Sequence, residues 1–356
     1  MTIKKKTSSI NRILFLYAEI TPYFLDSIEN FTSNNKNFFI HVVYLNVFRD
    51  LIIREKPQSK YTPQANFSSS HGLVRFVDEL NPSLILISGR MNSDYLKIAK
   101  LFYNKTLRIT VQDTMFRNSL RQYFQRLFRN YLYKQYFDKF WGVGTQQTKY
   151  AKSIGFKGNE IYSGFYVAAE IFFKSYKKKF FSTNDSFNFL FIGRLVKEKN
   201  ILRLSKAIEL INNKLNSKHK LIIIGEGYLR PKLEKFDCVT LLGLKSQKEI
   251  IKISDNCDIF CLPSIYEPWG VVVHEMTALG FPIICSKNCG SSFDLVEDGV
   301  NGYKFNPYNI NSIKDAILKI TCLSNKQLDY FSSKSNLIAK KINHENWNKT
   351  LISMIN

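Results

Sequence analysis

The sequence has no cysteine before residue 238. The six that follow, Cys238, Cys257, Cys261, Cys285, Cys289 and Cys322, form no Cys-x-x-Cys pair. That spacing argues against a zinc site. Several lie in or beside apolar runs, where cysteine acts as a small buried hydrophobe. Asp-x-Asp is also absent, so nothing indicates a metal clamp on a diphosphate. No apolar run approaches the ~20 residues that a spanning helix needs. The start, Lys4-Lys5-Lys6 and then Ile13–Ala18, imitates a signal peptide. Its apolar stretch is short, ends at Glu19 and lacks a small-residue cleavage site. It reads as a first strand behind a basic tail, and a cytoplasmic location is expected.

Acidic residues are scarce. There are 29 Asp and Glu against 51 Lys and Arg, a net charge of +22. The imbalance is uneven: residues 1–180 hold 28 basic and 12 acidic side chains, and the rest hold 23 and 17. A basic first half points to an anionic partner: nucleic acid, acidic lipid or a phosphorylated acceptor. A Lys-rich composition without such a partner is the plainer alternative. No RRM, KH or zinc-knuckle pattern accompanies the charge, so nucleic acid is not the expected partner.

The length of 356 residues suggests two domains. In the first half, apolar runs at Ile13–Tyr17, Phe39–Leu45, Leu84–Ser88, Leu107–Val111 and Phe140–Val143 alternate with helical stretches. That alternation predicts a parallel sheet covered on both faces. The polar stretch 176–186 reads as a linker between domains at 1–175 and 187–335. The alternation restarts with strands at Phe187–Ile192, Leu221–Ile224, Val239–Leu242 and Ile259–Leu262.

The second half centres on Pro263–Glu275. A buried strand feeds a turn broken by Pro263, Pro268 and Gly270, and a helix follows. Ligands of open α/β sheets sit at such carboxyl ends, and a helix N-terminus there attracts anions. Glu267 stands at the start of the helix and Glu275 about two turns further in, by the ~1.5 Å rise per residue. The two are therefore not a proton-sharing pair. Either acid alone reads equally well as a solvated helix charge.

The whole string, Pro-Ser-x-x-Glu-x7-Glu with Ala278, Gly280 and Pro282 behind it, resembles the signature of family-4 retaining glycosyltransferases. Gly193-Arg194 with Lys199 resembles that family's phosphate-binding loop, and Gly225-Glu226-Gly227 and Gly243-Leu244 continue the likeness in order. The resemblance is strong over about residues 187–310 and weak before them. It implies an α/β GT-B fold: two facing Rossmann-like domains with a cleft between them, the last helix (336–356) crossing back onto the first. It implies a nucleotide-diphosphate sugar as donor and no cofactor or metal. Arg194 and Lys199, in the loop that Gly193 opens, would hold the diphosphate, Glu275 the ribose hydroxyls, and Glu267 with the Pro268, Trp269, Gly270 and Val271 backbone the donor sugar. Gly243 and Leu244 would hold the base. Glu267, Arg194, Lys199 and Asp113 are the expected catalytic residues. Asp113 matches the family's His-Asp pair, whereas Gln112 replaces the His. The glycine pair usual after the first strand is missing, so Glu19 and Tyr23 there are assigned to the acceptor.

Residues 116–137 interleave aromatics with Arg117, Arg121, Arg126 and Arg129, with no acid before Asp138. A basic amphipathic helix of this kind suits an anionic membrane surface; an aromatic stripe suits a buried core equally well. The expected partners are thus a nucleotide sugar, a glycan or lipid-linked acceptor, and the inner face of a membrane. Two alternatives stand beside the transferase: a GT-B sugar-nucleotide epimerase, and a non-catalytic binder of membrane or nucleic acid.

Overall fold

The computed structural model describes residues 10–49, 51–117, 119–177 and 186–355. The Lys4–Lys6 tail and residues 178–185 of the expected linker lie outside them. The chain divides into two compact units, Met1–Val167 with His344–Asn356, and Ala168–Asn343.

The first unit is a seven-stranded sheet in the order β3-β2-β1-β4-β5-β6-β7, parallel throughout. The strands are β1 Asn11–Ile20, β2 Phe38–Val47, β3 Ser59–Pro63, β4 Leu84–Ser88, β5 Leu107–Val111, β6 Lys139–Trp141 and β7 Ile161–Tyr162. Five consecutive β1 residues, Ile13–Tyr17, are buried, as a strand covered on both faces requires. Leu14, Leu16, Val43, Ile85 and Ile87 form one side of the core, under Leu73 and Val77 of the helix Ser70–Leu80 and Ile98 of the helix Ser93–Leu101. The expected strand at 140–143 ends at Trp141, and Gly142 instead begins a turn. The outermost strands escaped the sequence pattern. β3 is polar and ends in Pro63, which an edge strand tolerates, and β7 has only two residues.

The second unit is a six-stranded parallel sheet ordered β10-β9-β8-β11-β12-β13. Its strands are β8 Asn188–Ile192, β9 Lys220–Ile224, β10 Val239–Leu241, β11 Ile259–Leu262, β12 Ile283–Ser286 and β13 Gly302–Phe305. Five of the six cysteines are buried and free, two of them in β11 and β12; Cys322 is exposed instead.

The helix His344–Ser353 belongs to the first unit. Its anchor is Trp347, whose Nε1 donates to the Phe165 carbonyl at 3.0 Å. The Trp347 ring lies 5.1 Å from Trp141 and 5.9 Å from Phe31. Trp347→Ala removes this aromatic contact and leaves the Phe165 carbonyl unpaired. It is expected to destabilise the unit by about 3–5 kcal/mol, measured as a shift of the denaturant midpoint.

Candidate active site

In the second unit the chain leaves β8 toward β9 on one side and later returns to β11 on the other side. The strand order reverses between β8 and β11, and a crevice opens at such a switch point, outside the strands' carboxyl ends. The residues singled out from the sequence lie on the loops leaving β8, β9, β10 and β11 there.

The loop after β8 is held by backbone contact. Gly193 N donates to the Ile224 carbonyl and Leu195 N to that of Glu226, both at 2.9 Å. A Cβ on Gly225 would stand 1.9 Å from the Gly193 oxygen, and one on Gly227 would stand 2.5 Å from that of Leu195. These two glycines therefore permit backbone to meet backbone, which fixes where Arg194 stands. Gly243 continues the contact, its carbonyl accepting from Gly225 N at 2.8 Å, with Leu244 half-exposed beyond it.

Past Arg194 a short turn, Lys197–Lys199, ends at Asn200 in the left-handed region, φ 56°. The buried Asn200 amide donates to the carbonyls of Pro263 at 3.1 Å and Pro307 at 2.9 Å. Ile265 N donates to the Glu198 carbonyl at 2.8 Å. The β8 loop is thereby laid along the β11 loop, and Lys199 forms an ion pair with Glu267. Both side chains are only 15% exposed. Ser264 Oγ also donates to this Glu267 carboxylate, at 3.4 Å. Lys199 is thus already neutralised by an acid, and Arg194, exposed, forms no ion pair among the described residues.

Glu267 precedes the helix rather than standing in it, because the helix Val271–Ala278 starts only after Gly270. Glu267 is tied to the loop after β12: its N–H donates to the Asn288 carbonyl at 3.1 Å, and its own carbonyl accepts from Gly290 N at 2.9 Å. Trp269 is a core residue, and its carbonyl is taken by Ser291 N and Cys289 Sγ. Gly270 has φ 83°, and a Cβ there would meet Glu267, Cys289 and Leu262 within 3.1 Å. Gly270 supplies no side-chain cap and the first helical turn has no acid. The helix's own first turn thus sets no charge against its positive end, and an acid side chain from before the helix, that of Glu267, lies against Gly270.

Glu275 lies in the second turn of this helix and is partly buried, its side chain with no ion pair or hydrogen bond among the described residues. Burial pushes its carboxyl up to about 7. Its neighbour His274 is structural: Nδ1 accepts from Ala168 N at 3.1 Å and Nε2 bonds the Ala339 carbonyl at 3.0 Å. Neither Asn200 nor His274 carried a role in the sequence. The left-handed tolerance of asparagine at a loop end was the available signal for Asn200.

In the first unit, Glu19, Tyr23 and Asp113 come to one neighbourhood at the carboxyl edge of the sheet. Tyr17 and Tyr166, which the sequence did not single out, join them. The Tyr23 and Tyr166 rings meet edge-on at 5.1 Å. Burial raises the hydroxyl pKa of Tyr17, Tyr23 and Tyr166 well above its ordinary value, and Asp113 pushes each further the same way. The three tyrosines are therefore neutral hydrogen-bonding groups beside two carboxylates. Gln112 bonds its neighbours Thr110 and Thr114.

The Arg-rich stretch divides. Tyr133 and Phe137 are core, whereas Leu120, Tyr123, Phe124, Leu127, Phe128 and Tyr131 are exposed, with Arg117, Arg121, Arg126 and Arg129 exposed among them.

The Glu275 shift has a stability consequence. The folded chain keeps a proton that the unfolded chain releases between pH 4.5 and about 7. Stability from this group therefore falls as pH rises through that window. Glu275→Gln removes the charge, so the variant is expected to be more stable than the parent at about pH 8, by up to roughly 3 kcal/mol, and equal to it near pH 4. Thermal unfolding across that range checks it.

The family profile described as "Glycosyl transferases group 1" matches residues 172–335. An uncharacterized glycosyltransferase of Methanocaldococcus jannaschii is 34% identical over 132 residues, 35% of this chain and 33% of its own. The UDP-Gal:alpha-D-GlcNAc-diphosphoundecaprenol alpha-1,3-galactosyltransferase of Escherichia coli is 30% identical over 145 residues, 38% of this chain and 37% of its own. The matches thus span about a third of the length of those relatives. Among solved structures, Anabaena HepE in complex with UDP and glucose superposes with a TM-score of 0.72 at 16% identity, covering 96% of this chain and 98% of that one. That likeness shows the fold, GT-B, with two parallel-sheet α/β domains. The switch-point loops from Gly193 to Glu275 all fall inside the match to the glycosyl transferases group 1 profile, residues 172–335.

Proposed function

We propose that this chain is a retaining, metal-independent glycosyltransferase. It moves a sugar from a nucleotide-diphosphate sugar to an envelope glycan or lipid-linked acceptor, as a peripheral protein at the inner face of a membrane. The observation that carries the reading is the division of labour at the β8–β11 switch point. Arg194 is exposed with no ion pair among the described residues, while Lys199 is held by Glu267. The Escherichia coli relative, by its name, uses UDP-Gal and a diphosphoundecaprenol-linked sugar, which motivates the acceptor class.

On this reading, the guanidinium of Arg194 and the uncapped helix start at Val271 receive the diphosphate, whose charge grows as the sugar departs. Lys199 adds a second cation that Glu267 keeps in place. Glu267 also presents an acceptor oxygen to a donor-sugar hydroxyl. Glu275 accepts from the ribose hydroxyls once ionised. The C1–O bond to the diphosphate breaks while the acceptor oxygen bonds C1 on the same face, and the acceptor proton passes to the departing phosphate oxygen. Glu19, Asp113, Tyr17, Tyr23 and Tyr166 offer hydroxyls and carboxylates to an acceptor sugar.

Arg194→Ala is the cleaner test, since Arg194 is exposed and supports no packing, whereas removing Lys199 would strand the Glu267 charge. Transfer is expected to fall at least about tenfold with thermal stability unchanged, given the ~1.5–3 kcal/mol of a charge-assisted hydrogen bond. The measurement is nucleoside-diphosphate release from a panel of nucleotide sugars, with and without envelope extract. Undiminished turnover would count against the assignment.

A further inference from the structure

The helix Leu120–Leu127 is built inside out. Its backbone hydrogen bonding runs on past its end, Phe128 N donating to the Phe124 carbonyl at 3.1 Å and Leu132 N to that of Phe128 at 2.9 Å. Along this length the apolar residues recur at helical spacing: Leu120, Tyr123, Phe124, Leu127, Phe128 and Tyr131. Such a stripe ordinarily faces the core. Here the six side chains are 57–80% exposed. The inward side is polar instead. Buried Gln122 donates to the Met115 carbonyl at 2.8 Å and accepts from Arg117 N at 2.7 Å, and Gln125 accepts from the Tyr150 hydroxyl at 3.1 Å. Glutamines thus fasten the helix to the protein and leave its greasy face outward. A contiguous apolar face of this kind marks a surface that is covered in use.

Charge identifies what covers it. Arg121, Arg126 and Arg129 are exposed and form no ion pair among the described residues, and no acidic residue lies between Asp113 and Asp138. At the inner edge of the face is an open depression of about 620 Å³ whose lining includes Phe124, Phe128 and Tyr131, with Arg90 and Arg121. Arg90 is fixed there, donating to the Leu132 carbonyl at 3.0 Å and lying 4.4 Å over the Tyr133 ring. Aromatic and leucine side chains bordered by arginines match an anionic headgroup layer above acyl chains: the rings enter the interface and the guanidiniums meet phosphates.

We infer that the outward face of residues 120–131 docks this protein on an anionic lipid bilayer, with Leu120, Phe124, Leu127 and Phe128 inserted and Arg121, Arg126 and Arg129 at the phosphates. The inference deepens the lipid-linked acceptor reading and rests on it for its purpose. The surface itself stands on exposure, polarity and charge.

The experiment uses the full chain and needs no donor. Sedimentation with vesicles of phosphatidylcholine plus phosphatidylglycerol, against phosphatidylcholine alone, is expected to show binding at least about tenfold tighter to the anionic vesicles, weakened by salt. Arg121→Gln, Arg126→Gln and Arg129→Gln together remove that preference. Phe124→Ser with Phe128→Ser lowers binding to anionic vesicles about tenfold or more. Both sets are surface changes, and unchanged circular dichroism confirms folding. Insertion is read with Tyr123→Trp, whose emission should be quenched by lipids brominated on the acyl chain; the native Trp141, Trp269 and Trp347 are buried and serve as internal controls. Equal weak binding to both vesicles, or an unquenched Trp at 123, overturns the inference. So does a concentration-dependent dimer abolished by the Phe124 and Phe128 changes in a chain that no vesicle retains, since the face would then join two copies. Transfer to a water-soluble acceptor fragment, assayed without vesicles, reports on the catalytic reading separately.

Discussion

The ion pair between Lys199 and Glu267 closes the second unit's switch point, and the rest of that site follows from it. One partner ends the loop from β8 and the other ends the loop from β11. In a parallel sheet whose strand order reverses, these two loops leave in opposite directions, and nothing in the sheet itself holds them together. A mostly buried pair of opposite charges does so together with the Asn200 and Ile265 hydrogen bonds, and removing either member of the pair would leave a charge worth about 3–5 kcal/mol of destabilisation. The pair also determines which cation is available. Lys199 is committed to a carboxylate, so Arg194 and Lys197, exposed and without an ion pair among the described residues, carry the loop's unpaired charge.

Backbone approach makes that arrangement rigid. The Gly193–Leu195 segment lies directly on Gly225 and Gly227, at distances that exclude a Cβ. Asn200 then takes a left-handed turn and spends its amide on two proline carbonyls, groups that lie after β11 and β13. Three glycine or asparagine positions thus fix an arginine without touching its side chain. Glu275 is held by the opposite means. Its side chain has no ion pair or hydrogen bond among the described residues, and burial favours its neutral form.

The first unit gathers its polar groups by topology. Tyr17 and Glu19 close β1, Asp113 follows β5, and Tyr166 follows β7, so residues far apart in the chain share one sheet edge. Burial keeps the tyrosines protonated and the neighbouring acids reinforce this. The Leu120–Leu127 helix shows the complementary principle. Its amphipathic period is ordinary, but buried Gln122 and the hydrogen-bonded Gln125 decide which side faces in.

Much of this protein was legible in its sequence. Leu84–Ser88, Leu107–Val111 and Ile259–Leu262 were bounded as they fold: two are short apolar runs between turn formers, and the other keeps Leu107, Ile109 and Val111 apolar around Arg108 and Thr110. The Arg194, Lys199, Glu267 and Glu275 set was legible as a spaced motif, since loop length and residue type travel together at strand ends. Three things were not legible. The edge strands β3 and β7 form only because a neighbouring strand offers its hydrogen bonds, and their own composition does not ask for them; β12 and β13, four residues each, were not read from the sequence either. The Lys199–Glu267 pair depends on which strands are adjacent, and strand order is not written in any local pattern. The orientation of the aromatic stripe depends on two glutamines finding partners at Met115 and Tyr150. Periodicity reports that a helix has two faces; only the partners brought up by the fold decide which one is buried.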